Sequence, residues 1–339
     1  MLVAWRKKDL SHYYDRREMK GLVLIIAVLL SQWSSAQNFQ RFSQLNFTQS
    51  LLNPAALAID AKYQVDLVYR DQWFGFDGAP STFAASGQYE LAPDMAVGLN
   101  FYNDQIGKYS NNAVNAQYSY RLLYDNANAL IFGVGVGIES KAADLASTVT
   151  IQPNDPAFVQ GFSKIFFQSS FGVYYYSPIF YVGASIPQMF QTNFGSDDGF
   201  KPDDFHYFVS TGWYLSPSDR YTFQPNLQIK MVRGTPIQGD LLLRNTFNGR
   251  WSVVVGYRSE NSIIAGLDFL ITPWMRVGYA FNHDVAGLAR YKGMSNELHL
   301  GFGFPYRNDR YDFGEPRYIS NKGRYRRDYK RKYNRKRKS

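Results

Sequence analysis

Between residues 63 and 304 the chain alternates apolar and polar side chains in runs of roughly ten residues, each cut off by turn residues. A period of two puts successive side chains on opposite faces of a strand. Tyr63, Val65, Leu67 and Tyr69 share one face of the first run. Phe83, Ala85, Gly87 and Tyr89 follow, then Met95, Val97, Leu99 and Phe101, then Val114, Ala116, Tyr118 and Tyr120. Leu130, Phe132, Val134, Val136 and Ile138 alternate with Gly133, Gly135 and Gly137. Further runs centre near residues 171, 182, 210, 227, 242, 254, 266, 278 and 300. The last carries Leu298, Leu300, Phe302 and Phe304 on one face and Glu297, His299 and Gly301 on the other. The count is about fourteen, with twelve and sixteen as the neighbouring alternatives.

The N-terminus decides where such strands are used. Met19-Lys20 precedes the apolar run 21–30, and Ser31 to Ala36 precede Gln37. A basic start, a short apolar run and a small-x-small site predict a secretory signal peptide over residues 1–36, cut between Ala36 and Gln37 with Ser34 at minus three. The competing reading, a membrane anchor, needs roughly 20 apolar residues. Residues 1–18 are polar and charged, which makes Met19 a candidate for the true start. The chain has no cysteine, so it has no disulfide framework, thiolate metal site or thiol nucleophile, and cannot be a lipoprotein.

A secreted chain of alternating strands is a transmembrane antiparallel β-barrel or a soluble sandwich or propeller. Lipid offers backbone groups no hydrogen-bond partner, so a membrane sheet must close on itself. Three features favour the barrel over residues 37–304. One is the secretion signal. Another is the placing of Trp73, Trp213, Trp251 and Trp274 near strand ends, as interfacial girdles require. The third is the length of the connections. Both ends of an even-stranded bacterial barrel lie in the periplasm, where turns are short. The even connections, at 91–93, 177–178, 216–219, 248–249 and 272–273, are short. Long odd connections are expected at 72–80, 104–112, 141–163, 188–204 and 284–292, while those near 234–236 and 259–261 are short. Small residues on the inward face leave room in the lumen.

Net charge of +9 is unevenly spread. Residues 305–339 hold 14 Lys or Arg against 4 Asp or Glu, and the barrel body is slightly acidic. That tail has almost no aliphatic residues and is expected to be a disordered periplasmic extension. Its polycationic character suits an anionic periplasmic partner or plain solvation. Arg interleaved with Tyr also suits RNA, but a secreted chain argues for no nucleic acid.

No catalytic constellation stands out. His206, His283 and His299 show no metal-ligand spacing, and there is no nucleophile elbow or phosphate loop. No cofactor or metal is expected. Asp197-Asp198-Gly199 with Asp203-Asp204 is a weak calcium pattern, outweighed by simple solvation. Asn46-Phe47-Thr48 is a glycosylation sequon by pattern only.

Three local stretches stand out instead. Asn53-Pro54-Ala55 follows the expected mature start. Tyr69 to Thr82 joins the first two strands and holds Arg70, Gln72, Trp73, Gly75, Phe76, Gly78, Ala79 and Pro80. Gly293 to Phe304, with Glu297, closes the body. In this order the three resemble the PorP/SprF family of Bacteroidetes outer-membrane proteins. The resemblance implies a non-enzymatic outer-membrane barrel of the type IX secretion and gliding machinery, whose partner is a secreted surface adhesin or a periplasmic ring component. The basic tail departs from the family pattern. From the residues alone, Gly75, Gly78 and Pro80 are what a tight ordered loop requires. Trp73 and Phe76 either fold back to plug the lumen or sit in the interfacial girdle. An outer-membrane channel for small or hydrophobic solutes is the alternative function.

Overall fold

The computed structural model describes residues 42–59, 61–123, 128–144, 161–193, 205–218, 220–259, 261–285 and 294–304. A short helix, α1 (Leu45–Leu52), precedes the strands. The first seven strands are β1 (Tyr63–Asp71), β2 (Ser81–Ala92), β3 (Met95–Ile106), β4 (Tyr109–Leu123), β5 (Ala129–Ala143), β6 (Phe162–Tyr176) and β7 (Phe180–Asn193). The eighth, β8 (His206–Trp213), is interrupted at Tyr214 and continues as Leu215–Ser218, and both pieces pair with the next strand. Then come β9 (Tyr221–Val232), β10 (Gln238–Phe247), β11 (Trp251–Arg258), β12 (Ser262–Thr272), β13 (Met275–Asp284) and β14 (Met294–Phe304).

Every strand pairs antiparallel with its sequence neighbours, and β1 also pairs with β14 from Tyr63↔Phe304 to Asp71↔Asn296. That last ladder turns the sheet into a closed fourteen-stranded barrel with no free edge. Closure is what a sheet in lipid requires, because an unpaired edge there costs several kcal/mol per orphaned group.

One rim carries the start of β1, the end of β14 and the tight turns after β2, β6, β10 and β12. By the rule for bacterial barrels this is the periplasmic rim. The opposite rim carries the connections after β1, β5, β7 and β13, which are long as expected, but β5 runs to Ala143, β6 begins at Phe162 and β7 runs on to Asn193, inside the spans 141–163 and 188–204 expected to be loop. The expected long loop at 104–112 is not there. β3 and β4 run on to Ile106 and Tyr109, and only Gly107 and Lys108 turn between them, Gly107 with φ +57°. Asn103, Asp104, Asn111 and Asn112 look like loop residues, yet they are strand residues of this hairpin.

The outward face is an apolar belt that includes Val65, Leu99, Val134, Val136, Leu241, Val255, Ile263 and Leu267, all exposed. Aromatic rings bound it at the periplasmic rim. Tyr63 stacks on Tyr89 at 4.9 Å, Phe247 on Trp251 at 4.3 Å, and Trp274 on Phe302 at 6.3 Å. Trp213 lies at the same rim, opposite Phe180. The belt and its girdle are those of a membrane-spanning barrel. The inward face is buried and rich in polar side chains, Asp66, Arg70, Ser86, Gln88, Asn100, Gln117, Glu139, Asp240, Arg258, Asp268 and Glu297 among them, with apolar patches such as Ile131, Tyr174 and Tyr181, and Leu242, Val254 and Ile264.

Candidate functional site

The lumen is occupied by the segment that precedes β1. Phe42, Ser43, Gln44, Thr48, Ser50 and the run from Leu52 to Ala58 are all buried. The segment enters in the outer half of the barrel. Glu297, which lies opposite Arg70 near the outer end of β1, accepts the backbone N–H of Ser43 at 2.8 Å and of Gln44 at 3.0 Å. A carboxylate there also faces the N-terminal end of α1, where negative charge is favoured. Asn282 bonds the Ser43 hydroxyl at 2.8 Å.

Descending, Asn100 and Gln117 donate to the Ser50 carbonyl at 3.0 and 3.1 Å, and the Ser50 hydroxyl meets Ser86 at 3.0 Å. Ser185 donates to the Leu52 carbonyl at 2.8 Å. Near the periplasmic rim, Gln88 accepts the Ala58 N–H at 2.8 Å and Arg121 donates to the Ala58 carbonyl at 3.3 Å. The chain then joins β1.

Asn53-Pro54-Ala55 is the pivot of this descent. Asn53 caps the C-terminus of α1, donating its N–H to Gln49 O at 2.8 Å. Pro54 cannot continue a helix. The chain turns instead, with Ala56 N–H on Asn53 O at 2.9 Å, and Asn at the first and Pro at the second position suit such a turn. The Asn53 carboxamide accepts from Ala55 N at 2.9 Å and donates to Val173 O at 3.2 Å. Wall glycines make the seat. A Cβ at Gly133 would stand 2.2 Å from Ala55 N, and one at Gly98 would stand 2.6 Å from a Leu57 methyl.

The wall is also stitched by ion pairs and hydrogen bonds of its own. Arg258 donates Nε and Nη2 to the two oxygens of Asp240, each at 3.0 Å, and Arg244 lies 2.6 Å from Asp268. Glu139 accepts from Tyr102 at 2.8 Å and from Asn111 at 2.7 Å. His299 and Asp66, 3.0 Å apart, are buried together within the wall. No group of His, Asp and Glu suited to a metal occurs among the described residues.

The β1–β2 loop is the second ordered feature. It consists of two successive turns, closed by Phe76 N–H on Trp73 O at 3.1 Å and Ala79 N–H on Phe76 O at 3.2 Å. Gly75 and Gly78 take the third position of each, with φ of +86° and +74°, where a side chain is disfavoured. Gln72 N–H reaches Pro80 O at 2.9 Å and closes the base. Two neighbours clamp the loop: Phe74 N–H bonds Met294 O at 2.9 Å, and Gly107 N–H bonds Gly78 O at 3.0 Å. Trp73 itself is held at φ +51°, a strained conformation for a bulky residue. Trp73, Phe74 and Phe76 are exposed, at 43, 66 and 55%.

The residues singled out in the sequence thus fall into two places. Asn53, Pro54, Arg70 and Glu297 line or form the plugged lumen, whereas Gln72, Trp73, Gly75, Phe76, Gly78, Ala79 and Pro80 build the outer loop. Of the two expectations for Trp73 and Phe76, the lumenal plug is wrong. Residues 42–59 take that role, and wall glycines such as Gly98 and Gly133 leave the room that Leu57, Pro54 and Ala55 occupy. The sequence reading missed Ser43, Gln44, Ser50, Gln88, Asn100, Gln117, Arg121 and Ser185. Ala36, Gln37, the calcium pattern and the basic tail lie outside the described residues.

A search of curated proteins gives no match by sequence. Solved structures with a similar barrel include the CymD monoaromatic hydrocarbon channel, at 11% identity over 81% of this chain and 96% of that one, TM-score 0.48. A FadL homologue of Pseudomonas aeruginosa matches at 10% identity over 74% and 93%, TM-score 0.44. The toluene transporter TodX of P. putida matches at 10% over 76% and 94%, TM-score 0.42. Likeness at this level carries nothing about what this chain binds. The model of type IX secretion system membrane proteins PorP/SprF matches residues 34–302. The chain belongs to the PorP/SprF family of type IX secretion system membrane proteins.

Proposed function

We propose that this barrel serves type IX secretion as a protein-binding accessory, holding a secreted surface protein or a periplasmic ring component. The observation that carries the reading is the filled lumen. The backbone of residues 42–59, with buried side chains such as Phe42, Ser50, Leu52 and Leu57, occupies the space through which a solute would pass, which leaves the rims as the working surfaces. On the outer rim the β1–β2 loop offers three exposed aromatics on a braced backbone, and ordered loops on rigid scaffolds carry function disproportionately. Exposed aromatics of this kind are what protein interfaces bury at their centres.

On this reading residues 1–36 are removed on export, and the Lys/Arg-rich residues 305–339 extend from the periplasmic end of β14 towards an anionic partner. The barrel body carries no catalytic step. The test is affinity purification of the tagged barrel from native membranes in mild detergent. Recovery of a large surface protein or of secretion-ring subunits supports the reading, and recovery of neither ends it.

A further inference from the structure

We infer that the lumen is a latent water-filled pore, held shut in cis by residues 42–59 and latched by Glu297. Three observations lead there. The first is the seat. Gly98, Gly133, Gly172, Gly183 and Gly278 face inward from β3, β5, β6, β7 and β13, and a Cβ at each would collide with residues of this segment or with side chains beside it. At Gly133 the obstruction is the backbone of Pro54 and Ala55, within 2.4 Å, which cannot move aside while the plug stays seated. The wall is therefore hollowed to the plug's outline, and vacating it leaves space rather than a collapsed core.

The second observation is the chemistry of the contacts. Ser86, Asn100, Gln117 and Ser185 are neutral polar side chains that bond the plug directly. Water offers the same partners hydrogen bonds of similar strength, so the exchange costs little for each bond. The rest of the wall mixes charged and polar side chains with apolar patches, Ile131, Tyr174 and Tyr181 under Ala55 and Ala56, and Val68 and Ala84 under Phe42.

The third is where the charge-assisted contacts fall. Arg121 holds Ala58 at the inner end, close to where the chain becomes β1 and is covalently tethered. Glu297 holds the outer end through both of its oxygens. Release at Glu297 frees the outer half of the plug and leaves the inner end anchored. Glu297 is thus a latch and the segment a hinged stopper.

The absence of native cysteine makes a clean test available. The full chain is reconstituted into planar bilayers as wild type, Glu297→Gln, Glu297→Ala and Gly133→Ala, and as Glu297→Ala combined with Ser50→Cys and Ser86→Cys. The two serine hydroxyls are 3.0 Å apart, close enough for a bridge after small adjustment. Folding is checked by the heat shift on gels. The wild type should stay closed. Glu297→Ala should raise open probability about tenfold or more, because hydrogen bonds to a charged group exceed one decade in an equilibrium constant. Glu297→Gln should fall between the two, and Gly133→Ala should conduct persistently. Oxidising the cysteine pair should silence the Glu297→Ala current, and reduction should restore it. Folded Glu297→Ala and Gly133→Ala barrels that remain closed would overturn the inference. So would a current indifferent to the bridge.

Discussion

The carboxamide of Asn53 occupies the space that a side chain would take at Gly172: a Cβ there would lie 2.0 Å from Asn53 Oδ1. Residue pairs that share a site couple when mutated. Asn53→Ala removes the bond to Val173 O and the turn contact to Ala55 N, at about 1–3 kcal/mol for the groups left unsatisfied. Gly172→Ala alone should cost more, since it forces the plug away. In the double variant the new methyl fills the space that Asn53 vacates, so the combined loss should be smaller than the sum. Urea titration of the folded barrel, followed by the heat shift on gels, measures all three. Strict additivity would mean that the two residues do not share a site.

The Arg258–Asp240 pair gives a second expectation. Both side chains are buried, and the fork is bidentate at 3.0 Å on each arm. Arg258→Met should cost about 3–5 kcal/mol by leaving the Asp240 carboxylate buried without its partner. Arg258→Met with Asp240→Leu should recover most of that loss. The urea midpoint of the two variants decides it, and equal losses would show that the carboxylate never depended on the arginine.

The lipid face predicts a third outcome. Val136 lies at the middle of β5 and points outward, 54% exposed. Val136→Arg should therefore lower barrel stability by about 2–4 kcal/mol, the cost of arginine at the bilayer midplane. Measured in phospholipid vesicles, a change below about 0.5 kcal/mol, the scatter of ordinary surface substitutions, would place this residue outside the hydrocarbon belt.

Much of this architecture is written locally. The alternation of Tyr63, Val65, Leu67 and Tyr69, and its recurrence through Leu298 to Phe304, gives the strands and their outward faces without any knowledge of partners. Residues 42–59 have no such pattern, because their partners are wall side chains far away in sequence: Ser43 meets a residue 254 positions on. Asn53-Pro54 is visible as a helix stop and turn, but nothing in it says that the turn is inside a barrel. The retrievable clue is the inward register shared by Gly133 and Gly172, which are partners across β5 and β6. Paired glycines inside a strand mark close approach of another backbone. The hairpin at Gly107 was hidden for a different reason. Beyond the bilayer an outward face need not be apolar, so the alternation fades while the pairing continues. The loop fold of residues 72–80 was partly legible from Gly75 and Gly78, whereas its clamps to Met294 and Gly107 are long-range.

That loop gives the fourth expectation. Trp73→Ala, Phe74→Ala and Phe76→Ala together remove rings that are all exposed, so the urea midpoint should move by less than about 1 kcal/mol. Partner recovery in affinity purification should fall about tenfold or more, as for hot-spot aromatics. Gly78→Ala should reduce recovery by another route. Its φ of +74° and the 3.3 Å approach of its Cβ to Gly107 Cα leave an alanine strained, and the braced shape is lost. Unchanged recovery in both variants would remove the outer loop from the binding surface.

The most direct trial of the account is site-specific photocrosslinking in living cells, with the photoreactive residue placed at Phe76 and crosslinked products identified by mass. The account predicts a covalent adduct between this outer-loop position and a secreted surface protein, and its loss when Gly78→Ala is added. Crosslinking to lipid alone, or no adduct under conditions that label an inward-facing control at Ser86 to residues 42–59, would contradict the claim that the outer loop is where the barrel holds a secreted surface protein.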